Sequence, residues 1–323
     1  MKAIRIHEFG GPEVLRYEDV PEPAPKPHEA VVKVEAAGVN FIDIYQRTGV
    51  YKMPLPATLG LEGGGIVSAV GADVTDVKVG DRVAWTSVPG AYAELAAVPA
   101  DRLVALPASV TTRQGAAAML QGLTAHYLAH STYALKPGDT CLVHAGAGGV
   151  GLLLTQIAKR LGARVITTVS TDEKAELSRE AGADLVVQYT TQDFEAEVKT
   201  FTGGKGVPVV YDSVGQTTIA KSINCLATRG MLVLFGQSSG VVPAVDPQVL
   251  SQKGSLFFTR PTLVHYIATR DELQQRARTL FDWIGSGQLR LRMEFEFPLR
   301  NVAEAHTSLT GRKTTGKVLL TPG

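Results

Sequence analysis

The stretch Thr140-Cys141-Leu142-Val143-His144-Ala145-Gly146-Ala147-Gly148-Gly149-Val150-Gly151 decides how this chain folds. Residues Thr140–Ala145 read as a short apolar strand, and the run Leu152–Leu161 beyond the last glycine reads as a helix. Between them stands G-x-G-x-x-G in the context it requires: strand, tight turn, helix. The glycines permit the turn and let the backbone approach a pyrophosphate, which rests on the exposed N–H groups and positive dipole end of the helix. The glycine pattern alone is weak, because a merely structural turn would also satisfy it. Its flanks carry the assignment.

Working toward the C-terminus, apolar strands at Arg164–Val169, Leu185–Tyr189, Val207–Asp212, Met231–Phe235 and Ser255–Thr259 alternate with helix-length segments. Six strands spaced by crossovers call for an α/β fold with a doubly wound parallel sheet. After Leu263 the pattern gives a helix (Asp271–Gly285), a strand (Met293–Phe297), a short helix and a last strand (Lys317–Leu320). Toward the N-terminus the periodicity differs: Lys2–Phe9, Ala30–Val39, Gly65–Val70, Arg82–Trp85 and Tyr92–Val98 alternate like half-buried strands punctuated by Gly and Pro. That predicts a twisted, mostly antiparallel β domain. The run Pro21–Pro27 reads as a rigid surface connector. At 323 residues, two domains are expected from a prior of ~150 residues per domain.

The end of the second parallel strand bears on cofactor choice. An NAD enzyme usually sets an acidic residue about 20 positions past the glycine loop, to hold the ribose 2′-hydroxyl. Here Val169-Ser170-Thr171 occupies that point, with Lys174 one turn on. Hydroxyls and an ammonium suit a 2′-phosphate, so NADPH is expected. Asp172 and Glu173 lie close by, and Ser170-x-x-Glu173 has the form of a capping box that would occupy Glu173 with backbone N–H groups.

Composition excludes several classes. Net charge is +1, and the eleven Lys/Arg against six Asp/Glu from Lys253 onward are scattered, so dedicated nucleic-acid binding is not expected. No stretch approaches the ~20 apolar residues of a membrane span. The N-terminus lacks a signal peptide's apolar run, so the cytoplasm is the expected location. Only two cysteines occur, which rules out a disulfide framework, and the apolar contexts of Cys141 and Cys225 point to core roles. Two cysteines cannot supply a four-thiolate zinc site, and neither lies in the first domain, where a catalytic zinc would need one. His126-x-x-x-His130 would share a helix face without an acidic third ligand, and partly exposed helix residues are the plainer reading. A hydrolase triad is not expected.

With these residues assembled, the chain resembles the zinc-free quinone oxidoreductases of the zeta-crystallin type, within the medium-chain dehydrogenase/reductase superfamily. The resemblance runs nearly end to end. It rests on Ala37–Asp43, Gly60–Gly65, His144–Gly151, Val210–Gly215, Phe235–Gly240 and Lys253–Pro261. Where zinc relatives carry a ligand cysteine and the ligand histidine of a Gly-His-Glu motif, this chain has the Asn40-Phe41 region and Leu61-Glu62.

The resemblance implies a GroES-like domain built from both chain ends (1–125 and 262–323) around a Rossmann NADP-binding domain (126–261), with the active site in the cleft between them. It implies cofactor contacts from Asn40, Thr124 and Tyr127 near the nicotinamide and from Gly148, Gly149 and Val150 at the pyrophosphate. Ser170, Lys174, Tyr189 and Arg312 would surround the 2′-phosphate and adenosine. Ser213, Val214, Phe235, Gly236, Gln237, Ser238, Phe258 and Pro261 would line the remaining groove, Gln237 replacing the Asn of several relatives. Asn40, Tyr45, Tyr51 and Gln121 are the polar side chains expected beside the acceptor, although Tyr45 and Tyr51 could equally be packing at a domain edge. A homodimer joined through the sheet edge near Phe257 is a further implication. Quinone reduction leads. Reduction of an activated double bond in enals or enones, and a cofactor-binding protein with a structural or RNA-associated role, stand as alternatives.

Overall fold

The computed structural model describes residues 1–322. The chain divides into two compact units: Met1–Leu123 together with the C-terminal stretch from Tyr266, and Thr124–His265.

The first unit begins with β1 (Lys2–Ile6), β2 (Arg16–Asp19), β3 (Glu29–Val39) and α1 (Phe41–Arg47). There follow β4 (Ala57–Thr58), β5 (Glu62–Val70), β6 (Arg82–Thr86), β7 (Leu95–Pro99), β8 (Val104–Ala105) and α2 (Thr112–Tyr127), the last turn of which enters the second unit. The strands expected from alternation are present, but Tyr92 lies outside β7, and the two-residue strands β4 and β8 are too short to leave a periodic signature. Inward alternation along β1, β3 and β5 builds a core that includes Ile4, Ile6, Val32, Val34, Val67, Trp85 and Tyr92.

In the second unit β9 (Thr140–Val143) leads through the glycine turn into α3 (Gly149–Arg160). Then come β10 (Arg164–Val169), α4 (Asp172–Glu180), β11 (Leu185–Gln188), α5 (Phe194–Phe201) and β12 (Val207–Asp212). The unit ends with α6 (Ile219–Asn224), β13 (Leu226–Leu234), α7 (Pro247–Gln252) and β14 (Phe257–Thr259). All pairings are parallel, in the order β11-β10-β9-β12-β13-β14. The order reverses between β9 and β12, the switch point at whose C-terminal ends doubly wound sheets bind ligands. The strands carry near-continuous apolar runs because helices cover both faces. Leu142, Ile166, Val210 and Leu232 from four neighbouring strands form the centre of that core.

The chain returns to the first unit with α8 (Arg270–Gly285), β15 (Phe295–Pro298), α9 (Val302–Thr310) and β16 (Val318–Thr321). β16 enters the large sheet between β15 and β3, so residues from the two chain ends become hydrogen-bonded neighbours.

Candidate functional site

In the second unit the site grows from the glycine turn. Ala145 takes a positive φ of 55°, and a Cβ on Gly151 would stand 2.2 Å from the Ala145 carbonyl oxygen. Only glycine at 151 lets the turn pass that close to the helix. Gly148 caps α3, Gly149 and Val150 form its first turn, all three are half-buried, and no acidic side chain stands there. The first N–H groups of a twelve-residue helix thus point outward with the positive dipole end, the geometry that receives a phosphate. The backbone therefore fits a dinucleotide.

Two neighbouring loops are tied together. Ser238 and Ser239 donate their backbone N–H groups to the carbonyls of Ser213 and Val214 at 3.2 and 2.9 Å, and Ser239 Oγ donates to the Val214 carbonyl at 2.8 Å. Arg260, which the sequence reading left without a role, donates to the Leu234 carbonyl at 3.1 Å and to Gln237 Oε1 at 3.4 Å. Phe235, Gly236, Phe258 and Pro261 are half-buried alongside.

At the end of β10 the expected capping box does not form. Thr171, not Ser170, is the N-cap of α4: its backbone is still extended (φ −140°, ψ 162°), and its hydroxyl accepts the Lys174 N–H at 3.3 Å. Extended backbone continues through Thr171, one residue further than the box allows, so Ser170 lies too early to cap. Glu173 is exposed, while Asp172 accepts a 2.6 Å hydrogen bond from the Gln188 amide. Ser170 and Lys174 are half-buried and Tyr189 is exposed. Thr124 and Tyr127 are buried on α2, and Arg312 is an exposed residue of the first unit with φ 57°.

The first unit holds a buried polar network around Asn40, the residue that follows β3 and caps α1. Glu62 and Lys317, both buried, form an ion pair, and a Cβ on Gly38 would collide with both groups. Asn40 Nδ2 donates to Glu62 Oε1 at 2.7 Å, while Asn40 Oδ1 accepts from Lys317 Nζ at 3.0 Å and from Gln121 Nε2 at 3.2 Å. Glu62 Oε2 also accepts the Leu120 N–H of α2 at 2.7 Å. Of the four residues expected beside an acceptor, Asn40 and Gln121 are thus in contact. Tyr45 and Tyr51 form a second pair, ring centroids 5.3 Å apart and edge to face, with Tyr51 38% exposed.

A second cluster adjoins the Asn40 backbone. Asp43 Oδ2 accepts the Asn40 N–H and the Tyr92 hydroxyl, each at 2.8 Å. Tyr92 Oη lies 3.3 Å from His306 Nε2, and Arg47 reaches His306 Nδ1 at 3.2 Å. Burial pushes the Asp43 carboxyl up to about 7 and, with the Arg47 charge, holds His306 down to about 3. None of Glu62, Lys317, Asp43, Tyr92, His306 and Arg47 was assigned a role from sequence. The available signals were Glu62 inside a motif and charged residues in apolar surroundings.

His126 and His130 do share a face, with rings stacked 4.3 Å apart, but His126 is buried and not partly exposed as expected. Among the described residues no group of three His, Cys, Asp or Glu side chains is arranged to hold a metal ion. Both cysteines are buried in the second unit, and burial pushes their thiols up to about 12. These residues do not fit a zinc ion. Among them, too, no helix is long and apolar enough to cross a membrane.

Two family models match: the alcohol dehydrogenase GroES-like domain over residues 26–108 and the zinc-binding dehydrogenase model over residues 149–286. With the glycine turn at the switch point, they define the class as a dehydrogenase of the medium-chain type. A quinone oxidoreductase of Pseudomonas aeruginosa is 49% identical over 99% of both chains. A 2-haloacrylate reductase of Burkholderia is 43% identical over 98% of both. The crystal structure of Escherichia coli quinone oxidoreductase complexed with NADPH superposes with a TM-score of 0.98 at 45% identity, covering 100% of each chain. The chain belongs to the quinone oxidoreductases of the medium-chain dehydrogenase/reductase superfamily.

Two predictions follow from the first unit. Lys317→Met strands the Glu62 carboxylate in the core and should cost about 3–5 kcal/mol in urea denaturation. Adding Glu62→Gln should restore most of that loss, and a single variant as stable as wild type would mean water reaches Glu62.

The second concerns pH. Asp43, raised from 3.8 to about 7, contributes stability that is full below its unfolded value and is lost as pH rises through 7. His306, lowered from 6.5 to about 3, contributes stability present above 6.5 and lost as pH falls through 3. The two slopes oppose each other between about pH 4 and 6.5. Asp43→Asn should remove the falling component, so the variant's stability should rise more steeply with pH over that window. Parallel profiles for variant and wild type would refute the Asp43 shift.

Proposed function

We propose that this chain is an NADPH-dependent quinone reductase that works without a metal ion. The full-length relation to named quinone oxidoreductases, one of them solved with NADPH at a TM-score of 0.98, carries the reading. When bound, NADPH supplies the reducing equivalents, and the protein supplies binding and orientation.

The N–H groups of Gly148, Gly149 and Val150 hold the pyrophosphate, with Ser213, Val214, Phe235–Ser238, Phe258 and Pro261 along the remaining groove. Thr124 and Tyr127 stand at the nicotinamide side. Ser170, Lys174 and Tyr189 select the 2′-phosphate. Occupation of Asp172 by Gln188 supports that choice, because that carboxylate is already engaged. Tyr45 and Tyr51 orient an acceptor oxygen. Asn40 serves chiefly from beneath, since both polar ends of its amide are engaged within its own unit.

Quinones are flat and already electrophilic, so aromatic walls and one hydrogen bond suffice. Double-bond reduction, the second reading, is favoured by the 43%-identical haloacrylate reductase and needs a proton delivered to carbon. A structural or RNA-associated binding protein would show no NADPH oxidation with any acceptor offered. The two unpaired cysteines suit a reducing compartment, and we place the enzyme in the cytoplasm.

Tyr51→Phe tests the mechanism with a quinone and an enal assayed side by side. Quinone reduction should stay within about tenfold, since a protein acid, typically worth ~10²–10⁴, is not required there. A thousandfold loss on quinone would end the orientation-only mechanism.

Lys174→Ala should weaken NADPH by roughly 1.5–3 kcal/mol and leave NADH little changed, as read by cofactor titration. Equal weakening of both cofactors would remove Lys174 from the 2′-phosphate site.

β14 is the last strand of its sheet, and Phe257 on it is 57% exposed, which supports a homodimer paired edge to edge. Sedimentation should give twice the chain mass of 34.3 kDa; a monomer at micromolar concentration would exclude this assembly.

A further inference from the structure

Beneath the loops that follow β9, β10 and β12 runs a closed chain of hydrogen bonds that the proposed chemistry does not use. His144, one residue past β9, has no exposed side-chain surface. Its Nδ1 lies 2.9 Å from Thr168 Oγ1 and its Nε2 lies 2.9 Å from Ser222 Oγ. Ser222 Oγ donates onward to Asp212 Oδ2 at 2.9 Å, and the Thr218 hydroxyl approaches both Asp212 oxygens at 2.9 and 2.7 Å. Asp212 Oδ1 accepts the N–H groups of Val214 and Gly215 at 2.8 and 2.9 Å.

Proton counting fixes the direction of each bond. Ser222 has one hydroxyl proton, and it goes to a carboxylate that can only accept. His144 Nε2 must therefore carry a hydrogen and donate to Ser222; in a neutral ring Nδ1 is then bare and accepts from the Thr168 hydroxyl. The ring is neutral. Burial lowers its affinity for a proton, against the opposing pull of the Asp212 carboxylate 4.0 Å away. The Phe194 ring packs edge to face on the imidazole at 4.9 Å.

Thr168, Asp212 and His144 each stand at the root of a loop. Thr168 comes two residues before Ser170, and its carbonyl accepts the Gly146 N–H at 3.0 Å. Asp212 directly grips the loop that contains Val214. His144 donates its own N–H to the Tyr211 carbonyl at 3.1 Å, and Ala145 next to it begins the glycine turn. The buried ring cannot touch a ligand. We infer that His144 is a positioning residue, a neutral cross-brace that holds the loops after β9, β10 and β12 in mutual register for the dinucleotide. This rests on the NADPH reading above.

The experiment titrates NADPH against wild type, His144→Phe, Ser222→Ala and Thr168→Val, with kcat measured at saturating NADPH. It adds ¹⁵N NMR of the wild-type histidines at neutral pH. We expect the NADPH Kd to rise at least tenfold in His144→Phe and at least threefold in the other two, with kcat within threefold. The His144 resonances should show the Nε2-protonated tautomer. Should His144→Phe not fold, the other two variants, which each remove one bond, carry the affinity test. A merely structural brace would lower the unfolding midpoint and leave Kd in place. Kd values within twofold of wild type in the folded variants, or an Nδ1-protonated or charged ring, would overturn the inference. Wild type that fails to bind NADPH would instead overturn the cofactor reading, and the tautomer would still decide the brace.

Discussion

Glu62 and Lys317 are 255 positions apart in the chain, yet they meet inside the first unit with both side chains buried. An ionised group left alone in such a place costs several kcal/mol, so neither can settle without the other. The constraint spreads outward. β16 has to enter the sheet beside β3, where Val318 pairs with Val39 and Lys317 comes just before that pair. Gly38 has to lack a side chain, because a Cβ there would stand 2.2 Å from Glu62 Oε1. The Asn40 amide then has one orientation, its NH₂ toward the carboxylate and its oxygen toward the ammonium. The same carboxylate takes the Leu120 N–H, so α1 and α2 are both referred to one buried charge.

Two buried polar clusters differ in how fully they are satisfied. Around Asp43 the first unit leaves Asp43 Oδ1, Gln46 Oε1 and Arg47 Nε buried without a protein partner, three polar atoms on one short helix. Buried atoms of this kind each cost about 1–3 kcal/mol, so α1 is a place where stability has been given up. The helix carries Tyr45, and Tyr51 follows it. Under the dinucleotide loops of the second unit, by contrast, each hydroxyl, ring nitrogen and carboxylate oxygen of the His144 network has a partner. Fully satisfied networks rigidify, and a phosphate cradle built from backbone N–H groups depends on backbone position alone.

Where local signals in the chain are dense, they set the elements. The strands Arg164–Val169 and Val207–Asp212 appear at the residues expected, and the glycine turn lies between strand and helix as its spacing required. The failures are also local in origin. Ser170 and Thr171 are both competent caps, and the choice between them depended on where the backbone leaves β10, which neighbouring strands decide. β4 and β8 are two residues each and are held by pairing, not by propensity.

The sequence by itself determined the doubly wound sheet, the position of the phosphate-binding turn and the lack of thiolates for zinc. Each of these is written in periodicity, in glycine spacing or in a count of residue types. Only the tertiary structure decided that Asn40 turns its amide inward, that Lys317 answers Glu62, that Asp43 is paired with Tyr92, and that His144 braces Thr168 to Ser222. Those facts are pairings between residues 22 to 277 positions apart. A buried polar group chooses its partner by what the fold brings within 3 Å, and no spacing along the chain encodes that distance.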